Sequence, residues 1–261
     1  MSRLEHEARS SALGSPAALG PLVRMTARGL PGRRRTLGMV LLAASPVLVA
    51  AVLAFGGGLG NPNDLALEVY SQITLALVVP LVALVLGTAA IGTEIDDGTV
   101  VFLLVKPVRR RTVVLAKMLV AGGATAVLTV PGAAISTLLV AGPGALGLVV
   151  GAGVATLLAS ILYASVFVAL SVFTGRALVI GLGYVLVWEG FLTSILSGTR
   201  VLSIREYGLA VVRALGADAA AIEKGAGVAL PVAVALSAVV LVGAFLLGAW
   251  RLERFEVSEA G

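Results

Sequence analysis

Residues 93–111 read TEIDDGTVVFLLVKPVRRR, and this polar insertion between two long apolar runs decides how the chain must fold. It carries Glu94, Asp96 and Asp97, then Lys106, Arg109, Arg110 and Arg111. Charged groups of this kind cost about 2.5–3.5 kcal/mol each at the centre of a bilayer-spanning helix. The insertion therefore lies in water, outside the hydrocarbon. Within it, Asp96-Asp97-Gly98-Thr99 reads as a helix start, with carboxylates where the positive end of a helix dipole favours them. Pro107 then stops the helix. The apolar run between, Val100 to Val105, makes about two turns, far short of the ~20 residues a spanning helix needs. The pattern predicts a short apolar helix at the membrane surface, held between acidic and basic flanks and suited to docking into another protein.

Composition places the rest of the chain around this loop. Of 261 residues 59% are hydrophobic and 13% charged, against about 25% charged in soluble domains. The fold class is an all-α integral membrane protein. The net charge of +5 does not point to nucleic acid, because the basic residues cluster beside apolar spans. With no cysteine, and His6 as the single histidine, disulfide frameworks and cysteine or histidine metal sites are excluded. Only Lys106, Lys117 and Lys224 among the 19 basic residues are lysine, and Ala and Gly abound. That bias is typical of a GC-rich bacterial genome, so a bacterial plasma membrane is expected.

Outward from the loop, six transmembrane helices are predicted within residues 36–250: about Leu37–Phe55, Tyr70–Ile91, Thr112–Ala141, Ala145–Phe173, Ala177–Trp188 with a possible extension to Leu196, and Gly225–Trp250. Gly56-Gly57-Gly58, Gly142-Pro143-Gly144 and Thr174-Gly175-Arg176 are the turns. Residues 1–18 are expected as a disordered tail. Residues 19–35 alternate leucine and valine with arginine and read as an amphipathic interfacial helix, a disordered basic leader being the other reading. No signal peptide is expected. Pro46, Pro80, Pro131 and Pro231 fall in or near spans, as hinges or as packing kinks. Fifteen basic residues fall on one side of this topology and four on the other: Arg200, Arg205, Arg213 and Lys224. By the positive-inside rule both termini, the tail 251–261 and the loop 93–111 are cytoplasmic.

Motifs that would carry catalysis are missing. There is no G-x-x-x-x-G-K-[ST], so ATP hydrolysis does not reside in this chain. No serine in a span has a histidine partner, and no catalytic residue or metal site is assigned. Asp96-Asp97 reads as a cap, since adjacent residues point apart on a helix. Glu189, in Tyr184-Val185-Leu186-Val187-Trp188-Glu189-Gly190-Phe191, is the one carboxylate in an apolar run. Two readings stay open: an intramembrane functional group, or a residue at the outer boundary beside an interfacial Trp188. Residues 190–225 are too mixed to span. They suggest a re-entrant hairpin plus an extracellular helix capped by Ser203, with Glu206 three residues on.

Glu94 with Gly98-Thr99, Leu103-Leu104, Pro107, Arg109 to Arg111 and Lys117 forms a pattern that resembles the cytoplasmic loop of type-2 ABC transporter permeases. Trp188-Glu189-Gly190 and Ser203-Ile204-Arg205-Glu206-Tyr207 are similar to the segment after the fifth span in some subfamilies, and 19–35 to the family's elbow helix. The resemblance implies a half-transporter that pairs with a second copy of itself or a homologous permease. Each would dock on a separate P-loop ATP-binding subunit, where ATP and Mg would bind; no cofactor is implied in this chain. About Asp97–Val105 would be the coupling helix. Glu94, Asp96, Asp97, Gly98, Thr99, Val101, Phe102, Leu103, Leu104, Pro107, Arg109 and Arg110 would form the docking surface. Trp188 and Glu189 would line or gate the path, and export is the implied direction. Two other readings are a non-transporting scaffold for a cytoplasmic partner and an ion-coupled transporter using Glu189.

Overall fold

The computed structural model describes residues 33–56, 60–96, 110–192, 197–216 and 227–254, and among these all regular structure is helical. Helix α1 is Arg33–Phe55. Helix α2 (Pro62–Val69) runs through a π-helical stretch, Tyr70–Val78, into α3 (Val79–Asp96). Helices α4 (Arg110–Ala141) and α5 (Leu146–Phe173) form an antiparallel pair, turned at Gly142, whose φ of 80° suits glycine. Helix α6 (Ala177–Gly183) continues as a second π-helical stretch, Tyr184–Leu192; a 3-10 segment (Ser197–Leu202), α7 (Ile204–Leu215) and α8 (Leu230–Glu253) follow.

Five helical stretches are long and apolar enough to cross a bilayer: Thr36–Phe55, Pro62–Ala90, Arg110–Ala141, Leu146–Phe173 and Leu230–Glu253. The expected sixth, the fifth in chain order, is among the described residues a shorter apolar helix over Ala177–Gly190, with its helical backbone running on to Leu192. The second span begins earlier than its hydropathy suggested, because Asn61 caps α2 by accepting from the Asn63 amide at 3.0 Å and Pro62 follows in the first turn. Asp96, read with Asp97, Gly98 and Thr99 as a helix start, is the last residue of α3; the other three lie outside the described residues. Arg33–Arg35, expected in the interfacial helix, form the first turn of α1; the remainder of that segment and the proposed coupling helix lie outside the described residues.

α5 is the hub, packed against α3, α4, α7 and α8. Lipid tails are as apolar as leucine, so spanning helices associate through close packing and hydrogen bonds rather than burial from water. The sequence supplies both. Ala152, Ala155, Ala159 and Ala164 on α5 are fully or nearly fully buried. A Cβ on Gly87 would lie 2.9 Å from Phe167 Cβ, and one on Gly132 only 2.6 Å from the Ala43 carbonyl oxygen. Thr129 and Ser160 hydroxyls meet between α4 and α5 at 3.2 Å, and Tyr70 Oη donates to the Ala152 carbonyl at 3.0 Å.

The prolines are accommodated locally. Pro46 frees the Leu42 carbonyl, and the Ser45 hydroxyl donates to it at 2.7 Å. Before Pro80 the Val79 amide reaches back to Thr74 O, five residues, which is the π pattern. Pro131 adjoins Gly132, where α1 crosses α4. Because a backbone carbonyl cannot step aside there, Gly132→Val is expected to push α1 off α4 at a cost of about 1–3 kcal/mol. The check is thermal unfolding of the detergent-solubilised chain; an unchanged midpoint would show that the crossing tolerates side chains.

Candidate functional site

One group of the polar side chains buried inside the apolar bundle converges where α7 begins. Ser203 precedes α7 with extended backbone, and its hydroxyl accepts from the Glu206 amide at 3.4 Å, as the Ser-x-x-Glu spacing predicts. The first helical amide, Ile204, has no partner within the helix. It donates to Glu189 Oε1 at 3.0 Å, while Ser203 Oγ donates to Glu189 Oε2 at 2.5 Å. Tyr184 Oη adds a longer contact to Oε1, at 3.4 Å. The hydroxyl of Tyr163, from α5, faces the same carboxylate. Glu189 is 0% exposed. It is enclosed by protein rather than facing solvent, and Trp188 beside it is half-buried.

Depth follows from the neighbours. Tyr163 lies roughly 15 Å along α5 from Phe173, at about 1.5 Å per residue. A Cβ on Gly208 of α7 would contact Ala155, and one on Gly151 of α5 would contact Val212 and Leu215 of α7. Thus α7 climbs beside the first part of α5, and its N-terminus points inward at the carboxylate. An anion there is favoured by the helix dipole and by two donors.

Both π-helical stretches meet this junction. Glu189 sits on the second, and Arg205 Nη2 donates to Gln72 Oε1 on the first at 3.0 Å. Such segments often mark places where a helix re-registers at a functional site. Near its far end α7 is tied to the segment before α8 by Arg213, which donates to the Val228 carbonyl at 3.4 Å and also pairs at 3.2 Å with Glu206 in the first turn of α7 itself. α6, by contrast, touches the bundle through a narrow stripe. Ala177, Gly181, Val185 and Glu189, every fourth residue, are buried, while Leu178, Val179, Ile180, Leu186 and Val187 are exposed.

At the opposite end of α5, the arginines that close the central loop meet the end of α8. Arg110 Nη1 donates to the carbonyls of Leu252 and Glu253 at 2.7 and 2.8 Å. Arg111 Nε pairs with Glu253 at 2.8 Å. The guanidinium of Arg110 thus closes the unsatisfied carbonyl end of α8, where a cation also suits the dipole. Arg110→Ala is expected to cost about 1 kcal/mol and to speed amide exchange in residues 250–254; exchange as slow as in the parent chain would refute this cap.

Of the docking residues read from sequence, Glu94 and Asp96 fall in the last turns of α3 and Arg110 opens α4. Asp97, Gly98, Thr99, Val101, Phe102, Leu103, Leu104, Pro107 and Arg109 lie outside the described residues. Sequence reasoning missed Tyr70, Gln72, Tyr163 and Tyr184. The available signal was polar and tyrosine residues inside apolar runs. Among the described residues no cluster of His, Asp and Glu could hold a metal.

Compared with known families, residues 33–204 match the model of the ABC-2 family transporter proteins. No curated protein matches the chain.

Proposed function

The chain belongs to the ABC-2 family of transporter proteins and is a multi-pass membrane permease of an ABC transporter; from that we propose that it is one half of an ATP-driven exporter. In this reading a separate P-loop subunit hydrolyses ATP, and a second copy of the chain or a homologous permease completes the pathway. Both termini and the loop 93–111 face the cytoplasm, where the loop receives the motion of the ATPase. Val101–Leu104 form its apolar docking face, and Glu94, Asp97, Arg109 and Arg110 flank it.

The match over residues 33–204 carries the proposal, because it spans the loop, the two π-helical stretches and the buried carboxylate together. Transport of this kind needs two global states, with nucleotide favouring one. The π-helical stretches and the narrow contact stripe of α6 support placing the moving part at α6 and the start of α7.

One observation weighs against ion coupling at Glu189. Each carboxylate oxygen already accepts from a donor at the head of a helix, an environment made for an anion rather than for a bound cation. Affinity purification of the solubilised chain from its native host tests the main reading: recovery of a P-loop ATPase whose hydrolysis the permease stimulates is expected. Recovery of an ATPase that the permease leaves unstimulated would favour a scaffold, and recovery of none would sink the reading.

A further inference from the structure

Gln72 and Arg205 form a polar pair that the fold leaves partly open. Between Val69 and Ala90 the second span is buried or half-buried except at Gln72 and Leu77. These two are five residues apart, the hydrogen-bond step of the π-helical stretch on which both sit, so they lie one above the other on one face. The span holds 29 residues, Pro62–Ala90, and is about 43 Å long at ~1.5 Å per residue. A hydrocarbon core of ~30 Å centred on it begins ~7 Å from Pro62, and Gln72, roughly 15 Å along the helix, lies inside that core. The surface around the pair is apolar. α1 and the second π-helical stretch pack against the first, and they expose Leu48, Val52, Leu186 and Val187.

Arg205 Nη2 donates to Gln72 Oε1 at 3.0 Å, while Arg205 Nε is buried without a hydrogen-bond partner. Ionisable side chains at this depth face protein or enclosed water, not lipid. Charge does not forbid a protein cover, because Ile204, next to Arg205, holds the Glu189 carboxylate, so an opposite charge stands in the same junction. The unmet group is the carboxamide. With Oε1 taking one bond from Arg205, Gln72 keeps a second lone pair and two N–H donors. A carboxamide is its own complement: across a two-fold axis each Nε2 donates to the Oε1 of the other copy. An acyl chain offers no such partner, and an unrelated surface would have to supply donor and acceptor together in the same geometry.

We propose that a second copy of this chain packs on the face centred on Gln72, the two carboxamides bonding to each other while Arg205 steadies each oxygen. This rests on the reading that a second permease completes the pathway, and narrows it to an identical copy and to one face.

The test is photo-cross-linking of the full chain in membranes of its native host, with p-benzoylphenylalanine in place of Leu77, which is 40% exposed, and Gln72 left intact. On irradiation the benzophenone bonds to whatever lies against it, and mass spectrometry identifies the product. An adduct between two copies of the chain is expected. The same probe in place of Val239, 64% exposed on α8, should give lipid adducts alone. Gln72→Leu beside the Leu77 probe should lower the yield of the copy-to-copy adduct about tenfold, through loss of the reciprocal interhelical hydrogen bonds. Gln72→Asn, which keeps a carboxamide, should lose less. Lipid adducts alone from the Leu77 probe, copy-to-copy adducts of equal yield from the Val239 probe, or an unchanged yield in Gln72→Leu would each overturn the proposal. So would an adduct with a different permease, which leaves the exporter reading in place. Recovery of the P-loop ATPase from the same membranes separates the two failures: lipid adducts with the ATPase present remove this face alone, and lipid adducts with no ATPase remove the exporter reading as well.

Discussion

A chain in which Val101, Phe102, Leu103 and Leu104 are all replaced by serine is expected to remain folded in the membrane and to lose its ATP-binding subunit altogether. Fully burying one such side chain contributes about 1.5–3 kcal/mol, so four of them at the centre of a docking face are worth on the order of 5 kcal/mol even after ordering costs. About 4 kcal/mol is already a thousandfold in affinity. The spans should not notice, because the segment joins α3 to α4 without belonging to either. Measured by co-purification, the result is presence or absence of the ATPase band at equal permease yield. The charge-reversing pair Glu94→Lys with Asp97→Lys should weaken the same association more mildly, since rim charges act mainly on encounter. An undiminished ATPase band with the serine loop would sink the docking assignment while leaving family membership untouched.

What sequence could and could not say follows from the range of the interactions concerned. Apolar runs are local, so the spans now seen as α1, α4, α5 and α8 were legible to within a few residues. The turn at Gly142 was legible because Gly-Pro-Gly admits little else. The cap at Ser203 was legible because its partner is three residues away. The end of α3 was less legible, because it runs on to Asp96, one residue into a stretch, Asp-Asp-Gly-Thr, that has the composition of a helix start. The burial of Glu189 was beyond reach. Its main donors lie 14 and 15 residues further along the chain, and nothing in its own run states that α7 folds back onto it. The π-helical stretches, Tyr70–Val78 and Tyr184–Leu192, are equally hidden, because the apolar periodicity of a span does not distinguish a five-residue from a four-residue hydrogen-bond step.

Glu189→Ala follows from that non-local arrangement and carries the second large effect. Removing the carboxylate orphans the Ile204 amide and the Ser203 hydroxyl in a place without water, at about 1–3 kcal/mol per buried donor. It also deprives the start of α7 of its anion. The loss is local, because near its other end α7 keeps the bond from Arg213 to the Val228 carbonyl. The chain has no cysteine, so Ile204→Cys, at a buried position at the start of α7, gives a single reporter for opening. In an otherwise unchanged chain its reaction with a membrane-permeant maleimide should be slow. With Glu189→Ala it should accelerate by roughly 1.5 to 3 decades, as about 2–4 kcal/mol of lost local stability requires. Glu189→Gln separates a pin from a moving charge. Its carbonyl still accepts from Ile204 and its amide can donate to the Ser203 oxygen, so labelling should stay within about tenfold of the parent. If the alanine variant labels no faster than the parent, α7 is held by its other contacts and the carboxylate is free for another task. If glutamine opens α7 as fully as alanine, the negative charge itself holds the helix, and the state of that charge sets whether α6 and α7 move together or apart.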